Sequence, residues 1–138
     1  TESNDYFKYG IAGGGVYDWH LYDSHYTERY MDTPQDNPDG YKATYVLDRL
    51  SNYKGDKTNM LRITHGTGDD NVHFQNTLQL IDELQKQNKD FELMIYPEGM
   101  HGYRGAQGRH STMQDYIFWY RYLLDSELPS DLLEYLKK

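Results

Sequence analysis

The most informative part of the sequence is His65-Gly66-Thr67-Gly68-Asp69-Asp70-Asn71-Val72-His73-Phe74. It follows a short apolar run, 60–64, and precedes a segment with helical spacing, so it predicts the loop of a strand–loop–helix unit in an α/β sheet. A second apolar run, 91–96, leads into a glycine-containing segment with His101. Catalytic groups of open α/β sheets lie in loops at the carboxyl ends of strands. Asp69 after one strand and His101 after the next match the end of the hydrolase order Ser…Asp…His.

The composition limits the classes of protein to consider. The 138 residues suffice for one domain with one core. The net charge of -8 argues against a nucleic-acid partner, because phosphate binding needs clustered Lys and Arg. The absence of Cys excludes disulfides and thiolate chemistry. No apolar run approaches the length of a membrane span, and the polar start at 1–5 does not resemble a signal peptide.

The pattern of apolar and turn-forming residues predicts a short parallel sheet with flanking helices. The expected strands are 6–12, 60–64 and 91–96, the helices 73–88, 111–124 and 132–138, with a broken helix at 41–50 and loops at 33–40 and 105–108. The expected helix starts are Asp70 or Asn71 as a cap, Ser111 with Gln114 as a capping box, and Ser130-Asp131 as a cap. The expected apolar faces are Phe74, Leu78, Ile81 and Leu84; Met113, Ile117, Tyr120 and Leu124; and Leu132, Leu133 and Leu136. Three strands are few for an open sheet, so we expect part of a larger α/β domain.

Several local features leave alternatives open. Arg62 lies in a strand expected to be buried, so it is either near an edge or paired with a carboxylate. The triple glycine at 13–15 lacks a dinucleotide-binding pattern and predicts a flexible turn. Trp19, Tyr22 and Tyr26 have the spacing of one helix face, which favours core packing over a pocket wall.

Two longer strings carry a specific resemblance to a known family. They are Val16…Trp19…Tyr22-Asp23-Ser24-His25-Tyr26-Thr27-Glu28-Arg29-Tyr30-Met31 and His65-Gly66-Thr67-Gly68-Asp69-Asp70-Asn71-Val72-His73-Phe74-Gln75. Over 7–124 the chain resembles the carboxyl-terminal part of the catalytic domain of the dipeptidyl peptidase IV family, in the prolyl oligopeptidase clan of α/β-hydrolases. We therefore expect 1–138 to be a partial peptidase catalytic domain, with 129–138 as an extra terminal helix.

The resemblance implies an activity and a set of site residues. Enzymes of this family carry a β-propeller before the hydrolase domain and release dipeptides from peptide amino termini, with Pro or Ala in second position. Asp69 corresponds to the triad acid and His101 to the triad base. Asn71 corresponds to a residue that contacts the substrate carbonyl. The residues that correspond to the pocket for the proline ring are Val16, Trp19, Tyr22, Tyr26 and Val72.

The resemblance also implies partners. The family dimerises through segments that match those around Phe74, 94–96 and 111–124, so we expect a homodimer or a swapped pair. It weakly implies a periplasmic or secreted enzyme. Neither the residues nor the resemblance implies a cofactor, and the spacing of His65, His73 and His110 does not predict a metal site.

One departure from the family pattern is decisive for chemistry. The sequence contains no Gly-x-Ser-x-Gly, the motif that carries the nucleophile in this clan. We therefore expect the chain alone to be inactive and to supply only the acid, the base and the pocket wall. Two alternatives stay open, namely an acylaminoacyl peptidase-like enzyme of the same clan and a non-catalytic interaction module with an exposed sheet edge. The residues also leave open whether Asp69 or Asp70 is the acid.

Overall fold

A three-stranded parallel sheet organises the chain in the computed structural model, which describes residues 5–138. Its strands are β1 (Tyr9–Gly13), β2 (Met60–Gly66) and β3 (Glu92–Tyr96), in the order β1-β2-β3. Gly13 pairs with Thr64 and Gly66 with Tyr96, so all three strands end at the same rim of the sheet. The predicted parallel sheet and α/β class are confirmed, with β1 starting later than expected and β2 running two residues longer.

Five α-helices and two short 3-10 helices surround this sheet in the described residues. They are α1 (Ser24–Met31), α2 (Pro38–Thr44), α3 (Gln75–Lys86), α4 (Gly105–Leu123) and α5 (Ser130–Leu136), with 3-10 turns at Trp19–Leu21 and Leu47–Asn52. Helix α2 begins inside the segment predicted as a loop. The Asn37 side chain accepts a hydrogen bond from the Gly40 N–H, and Pro38 occupies the first helical position, where its missing N–H costs nothing. No helix of residues 5–138 is long and apolar enough to cross a membrane.

Alternate residues of β2 face opposite sides of the sheet. Ile63 and His65 point towards α3, where Ile63 joins a buried cluster with Leu80 and Leu84. Arg62 and Thr64 face α4, where Phe118 is fully buried. This period of two is the expected geometry of a strand covered on both faces.

Arg62 is paired with carboxylates and does not lie near an edge of the sheet. It lies on the central strand and is 2% exposed. Its Nε donates to Asp115 Oδ1 at 3.1 Å, and a second guanidinium nitrogen lies 3.6 Å from Glu92 Oε2. Burial raises the pKa of the Asp115 carboxyl, and the pairing with Arg62 offsets only part of that rise. The ion pair fixes α4 to the sheet but carries a desolvation cost.

Helix α3 differs from the prediction in its cap and in its buried face. Helix α3 begins at Gln75 without a side-chain cap, so neither Asp70 nor Asn71 caps it. Its buried residues include Asn76, Thr77, Leu80 and Leu84, whereas Leu78 is 51% exposed. The predicted stripe was right for Leu84 and wrong for Leu78, because two buried positions of this helix are polar and therefore invisible to an apolar period.

Helix α4 begins six residues earlier than predicted. Gly105 starts the helix, so Ser111 is a buried interior residue and not a cap. The Gln107 side chain donates to the Pro97 carbonyl, which holds this first turn against the loop after β3. Its sheet-facing residues include Ser111 and Phe118, whereas Leu124 of the predicted face is 57% exposed.

Helix α5 confirms the expected last helix, with its predicted apolar side half-buried. It begins at Ser130 with Pro129 at the capping position, and no side chain caps it. Leu132, Leu133 and Leu136 are partly covered, and the helix contacts α4.

Candidate active site

Asp69 and His101 meet at the carboxyl rim of the sheet. Asp69 lies in the loop after β2, and His101 lies in the loop after β3. The Asp69 Oδ2 and His101 Nδ1 atoms are 3.0 Å apart. Asp69 is 4% exposed, whereas the side chain of His101 is 47% exposed. The pair therefore consists of a buried acid and an imidazole whose other nitrogen is available to a reactant.

Three hydrogen-bonding groups and the ring of His65 surround the Asp69 carboxylate. The N–H groups of Asn71 and Val72 donate to Oδ1 at 3.0 and 2.9 Å. His101 Nδ1 and His65 Nε2 lie 3.0 and 3.3 Å from Oδ2. Burial alone would raise the pKa of Asp69, but the hydrogen bonds from Val72, His101 and Asn71 outweigh it and hold that pKa below its ordinary value. Asp69 is therefore ionised at neutral pH and can hold an imidazolium.

The exposed neighbour Asp70 has no such environment. It is exposed, and no hydrogen bond links it to His101. It lines an open surface depression of about 520 Å³ next to His101, together with Glu98, Met100 and Arg104. The geometry supports Asp69 as the acid where the sequence left both aspartates possible.

The two loops are joined by their backbones. The Thr67 N–H donates to the Tyr96 carbonyl and the Gly68 N–H to the Gly99 carbonyl, each at 3.0 Å. The Glu98 N–H donates back to the Thr67 hydroxyl at 2.8 Å. These reciprocal bonds fix the distance between the acid loop and the histidine loop before any substrate arrives.

Gly14 shows why the triple glycine stands at the end of β1. It is buried with φ +55°, and its N–H donates to the Thr64 carbonyl. A Cβ there would lie 3.2 Å from His101 Nδ1 and 3.3 Å from Asp69 Oδ2. The flexible-turn interpretation was incomplete, because this glycine packs against the Asp69–His101 pair. The signal in the sequence was three glycines at the end of a strand, where backbone approach to a site is common.

The predicted pocket aromatics form a ladder that is not one helix. Trp19 lies in a 3-10 turn and Tyr26 in α1, with Tyr22 extended between them. The ring centroids of Trp19 and Tyr22 are 5.9 Å apart, and those of Tyr22 and Tyr26 are 5.4 Å apart, both edge-on. The ladder continues to Tyr30, whose ring lies 5.0 Å from that of Tyr26. The expected single helix face and the expected core packing were both wrong, since the three residues lie on different elements and Tyr26 is 49% exposed. The rings nevertheless lie together.

The ladder is attached to the acid loop. The Tyr22 hydroxyl donates to Asn71 Oδ1 at 2.8 Å. Val72 is 3% exposed and binds Asp69 through its N–H. Val16 lies half-buried before Trp19, and the N–H of its neighbour Tyr17 donates to Asn76 Oδ1. The structure thus brings an apolar wall, an amide and the acid–base pair to one rim.

His65, His73 and His110 form no metal-binding cluster among the described residues. His65 is fully buried and hydrogen-bonded, while His110 contacts the Tyr96 hydroxyl from α4. Within residues 5–138, no three His, Asp or Glu side chains are arranged to hold a metal ion.

The chain matches a known protein family. The prolyl oligopeptidase family matches residues 1–126. The chain belongs to this family. The crystal structure of Porphyromonas gingivalis dipeptidyl peptidase 4 is similar to this chain, with a TM-score of 0.77 and 39% sequence identity. The similar region covers 89% of this chain and 16% of that one.

Two proteins with similar sequences are named as dipeptidyl aminopeptidases. Probable dipeptidyl-aminopeptidase B of Uncinocarpus reesii is 45% identical over 80% of this chain. Dipeptidyl aminopeptidase A of Saccharomyces cerevisiae is 38% identical over 87% of this chain. The chain spans 12% and 13% of the length of those two relatives.

Proposed function

We propose that this chain supplies the acid, the base and the proline-pocket wall of a serine exopeptidase that releases Xaa-Pro and Xaa-Ala dipeptides from peptide amino termini. The observation that carries the proposal is the 3.0 Å contact between buried Asp69 and accessible His101, each at the end of a parallel strand. The names of the relatives, all dipeptidyl aminopeptidases or peptidases, support the reaction class. The nucleophilic serine comes from sequence other than these 138 residues, since they contain no Gly-x-Ser-x-Gly.

His101 acts as general base and then general acid. Its Nδ1 faces Asp69, so the proton on that nitrogen is held by the carboxylate and Nε2 is left with the lone pair. Nε2 takes the proton of the serine hydroxyl as it attacks the scissile carbonyl, and returns it to the leaving amine. Ionised Asp69 stabilises the imidazolium formed between these two steps.

The aromatic ladder and Val72 select the second residue of the substrate. A proline ring is flat and apolar, and edge-on aromatic rings provide walls for such a group. Asn71 points its amide at the same region, and its Oδ1 is occupied by the Tyr22 hydroxyl. The Asn71 side-chain N–H2 is therefore the end that faces a substrate carbonyl.

Chimeric replacement tests the proposal directly. The matching segment of the Porphyromonas gingivalis dipeptidyl peptidase 4 is replaced by this chain, and this product is called the grafted enzyme. We expect it to hydrolyse Gly-Pro-p-nitroanilide and to prefer it over Gly-Leu-p-nitroanilide by at least about tenfold, the discrimination expected of a shaped apolar pocket.

Matched variants identify the source of that preference. Tyr22→Phe removes only the hydroxyl bound to Asn71, whereas Tyr22→Ala removes the ring. We expect Tyr22→Ala to lose most of the preference for proline and Tyr22→Phe to keep it. A grafted enzyme with the thermal stability of its parent but no activity towards either anilide contradicts the proposal.

We further propose that residues 1–138 are a partial catalytic domain with an appended helix at 129–138, and that the chain self-associates as a dimer or swapped pair. The outer sides of α3 and α4 and the edge strand β3 support this, because large apolar side chains are uncovered there. Leu78 is 51%, Leu93 40% and Tyr116 44% exposed.

Light scattering tests the association. We expect a dimer mass for the chain at micromolar concentration and a monomer mass for Leu78→Asp, because a charge at an apolar contact is costly to desolvate. Gln35→Asp adds the same charge at an exposed loop position outside α3, β3 and α4 and is expected to leave the mass unchanged. A monomer mass for the unaltered chain contradicts the association.

A further inference from the structure

The most enclosed titratable group near the acid–base pair is His65, which the triad mechanism does not use. It is the sixth residue of β2, is 0% exposed, and faces α3. Its ring contacts the Phe74 ring edge-on, with centroids 5.5 Å apart. A fully buried imidazole that forms hydrogen bonds through both ring nitrogens fixes the orientation of its hydrogen-bond partners.

The partners of His65 assign its proton. The Nε2 atom lies 2.8 Å from the Val72 carbonyl oxygen, which can only accept. Nε2 therefore carries a hydrogen, since a lone pair there would face another lone pair. The Nδ1 atom lies 2.7 Å from the Thr77 hydroxyl, which can donate to it. The neutral Nε2–H tautomer satisfies both contacts.

The Nε2 atom also lies 3.3 Å from Asp69 Oδ2, the oxygen that binds His101, while its hydrogen bond goes to the Val72 carbonyl. We infer that His65 is a positioning residue that holds the Asp69 carboxylate, and the Val72 carbonyl beside it, so that Oδ2 faces His101. The Val72 N–H donates to Asp69 Oδ1, and the two carboxylate oxygens turn together, so a fixed Val72 also fixes Oδ2. His65 supplies the restraint on Val72 through its carbonyl.

This inference rests on the proposed roles of Asp69 and His101, but its first test does not depend on peptidase activity. Nitrogen-15 shifts of the His65 ring in the unaltered 138-residue chain report which nitrogen carries hydrogen. We expect the neutral Nε2–H form. A neutral Nδ1–H form contradicts the inference, because it leaves no donor to the Val72 carbonyl.

Two substitutions separate positioning from packing. Glutamine places its amide N–H near the position of Nε2, while asparagine reaches only as far as Nδ1. In His65→Gln the donor to the Val72 carbonyl is kept and the Thr77 contact is lost; in His65→Asn the reverse holds. If His65 only packs α3 against β2, asparagine is the better replacement.

The two measured quantities are the pKa of the Asp69 carboxyl and the turnover of the grafted enzyme. By carbon-13 titration of the chain, we expect His65→Asn to raise the pKa of Asp69 towards its ordinary value, because it loosens Val72, whose N–H helps to lower that pKa. We expect His65→Gln to leave the pKa of Asp69 low. In the grafted enzyme we expect kcat for Gly-Pro-p-nitroanilide to fall about 10²-fold in His65→Asn with KM little changed, and to recover in His65→Gln.

The opposite ranking overturns the inference. Equal effects of asparagine and glutamine on both readouts, or a better-preserved Asp69 titration in His65→Asn, show that His65 only packs. Should His65→Asn fail to fold, the tautomer in the unaltered chain and the glutamine variant still decide the matter, since a high Asp69 pKa in His65→Gln also contradicts it. An inactive grafted enzyme with the expected Asp69 titrations would count against the proposed function and leave the positioning role intact.

Discussion

Asp69→Asn in the grafted enzyme is expected to lower kcat for Gly-Pro-p-nitroanilide by about 10⁴-fold, and His101→Ala by at least as much. The asparagine amide cannot accept the Nδ1 proton of His101 through the atom that now bears hydrogens, so the imidazole adopts the wrong tautomer or turns away. Alanine removes the base itself. Stopped-flow or steady-state hydrolysis of the anilide measures both losses.

Asp70→Asn is the matched control for the acid. It makes the same chemical change one residue later, at an exposed carboxylate with no bond to His101. We expect its turnover to stay within about threefold of the unaltered grafted enzyme, as for a surface charge. The double variant Asp69→Asn with His101→Ala is expected to be no worse than His101→Ala alone, because the two groups act as one unit. Undiminished turnover in His101→Ala would overturn the assignment of the base.

The proximity of Asp69 and His101 could be predicted from the sequence because it depends on chain order and strand parallelism. Residues that follow neighbouring parallel strands arrive at the same rim whatever the details of packing. This is why Asp69 and His101 lie 3.0 Å apart as the order of elements suggested. The choice between Asp69 and Asp70 needed the structure, since burial and donor geometry separate them and local chemistry does not.

The pattern of apolar residues could not reveal the buried polar residues that support the Asp69–His101 pair. Asn76 and Thr77 occupy the buried face of α3, where the first binds the Tyr17 N–H and the second binds His65. Amphipathic periodicity assumes that buried means apolar, so a helix that carries buried polar partners of a site shifts the apparent stripe towards exposed Leu78. The error in that stripe therefore lies where the helix meets the site.

The early start of α4 was missed because its first turn holds two glycines, which disfavour helix by about 1 kcal/mol each. Gly108 is needed for a close approach, since a Cβ there would lie 2.8 Å from the Tyr103 carbonyl oxygen. Tyr103 in turn donates its hydroxyl to Thr64 and stacks on Tyr96. Tertiary contacts beneath the histidine loop thus override local propensity.

Gly66→Ala is expected to separate the two catalytic loops. A Cβ at Gly66 would lie 2.0 Å from the Gly99 carbonyl oxygen and 2.4 Å from its carbonyl carbon. These are backbone atoms of the turn that carries His101, and they cannot move aside as a flexible side chain can. The Gly68–Gly99 and Thr67–Tyr96 hydrogen bonds must then stretch or break. The backbone of Gly66 does not have a positive φ, so the effect arises from the close approach alone.

The expected size follows from how far the turn must move. Relief of a 2.0 Å contact requires a displacement on the order of 1 Å, which is enough to cost about 10²-fold in kcat when it shifts a catalytic group. We also expect the free energy of unfolding to fall by about 1–3 kcal/mol, as for overpacked sites. Urea denaturation of the chain and anilide hydrolysis by the grafted enzyme measure the two losses. Gly102→Ala is the control in the same loop, because a Cβ there meets nothing within 4 Å. Full turnover in Gly66→Ala would mean that the acid loop and the histidine loop are not held together at this contact.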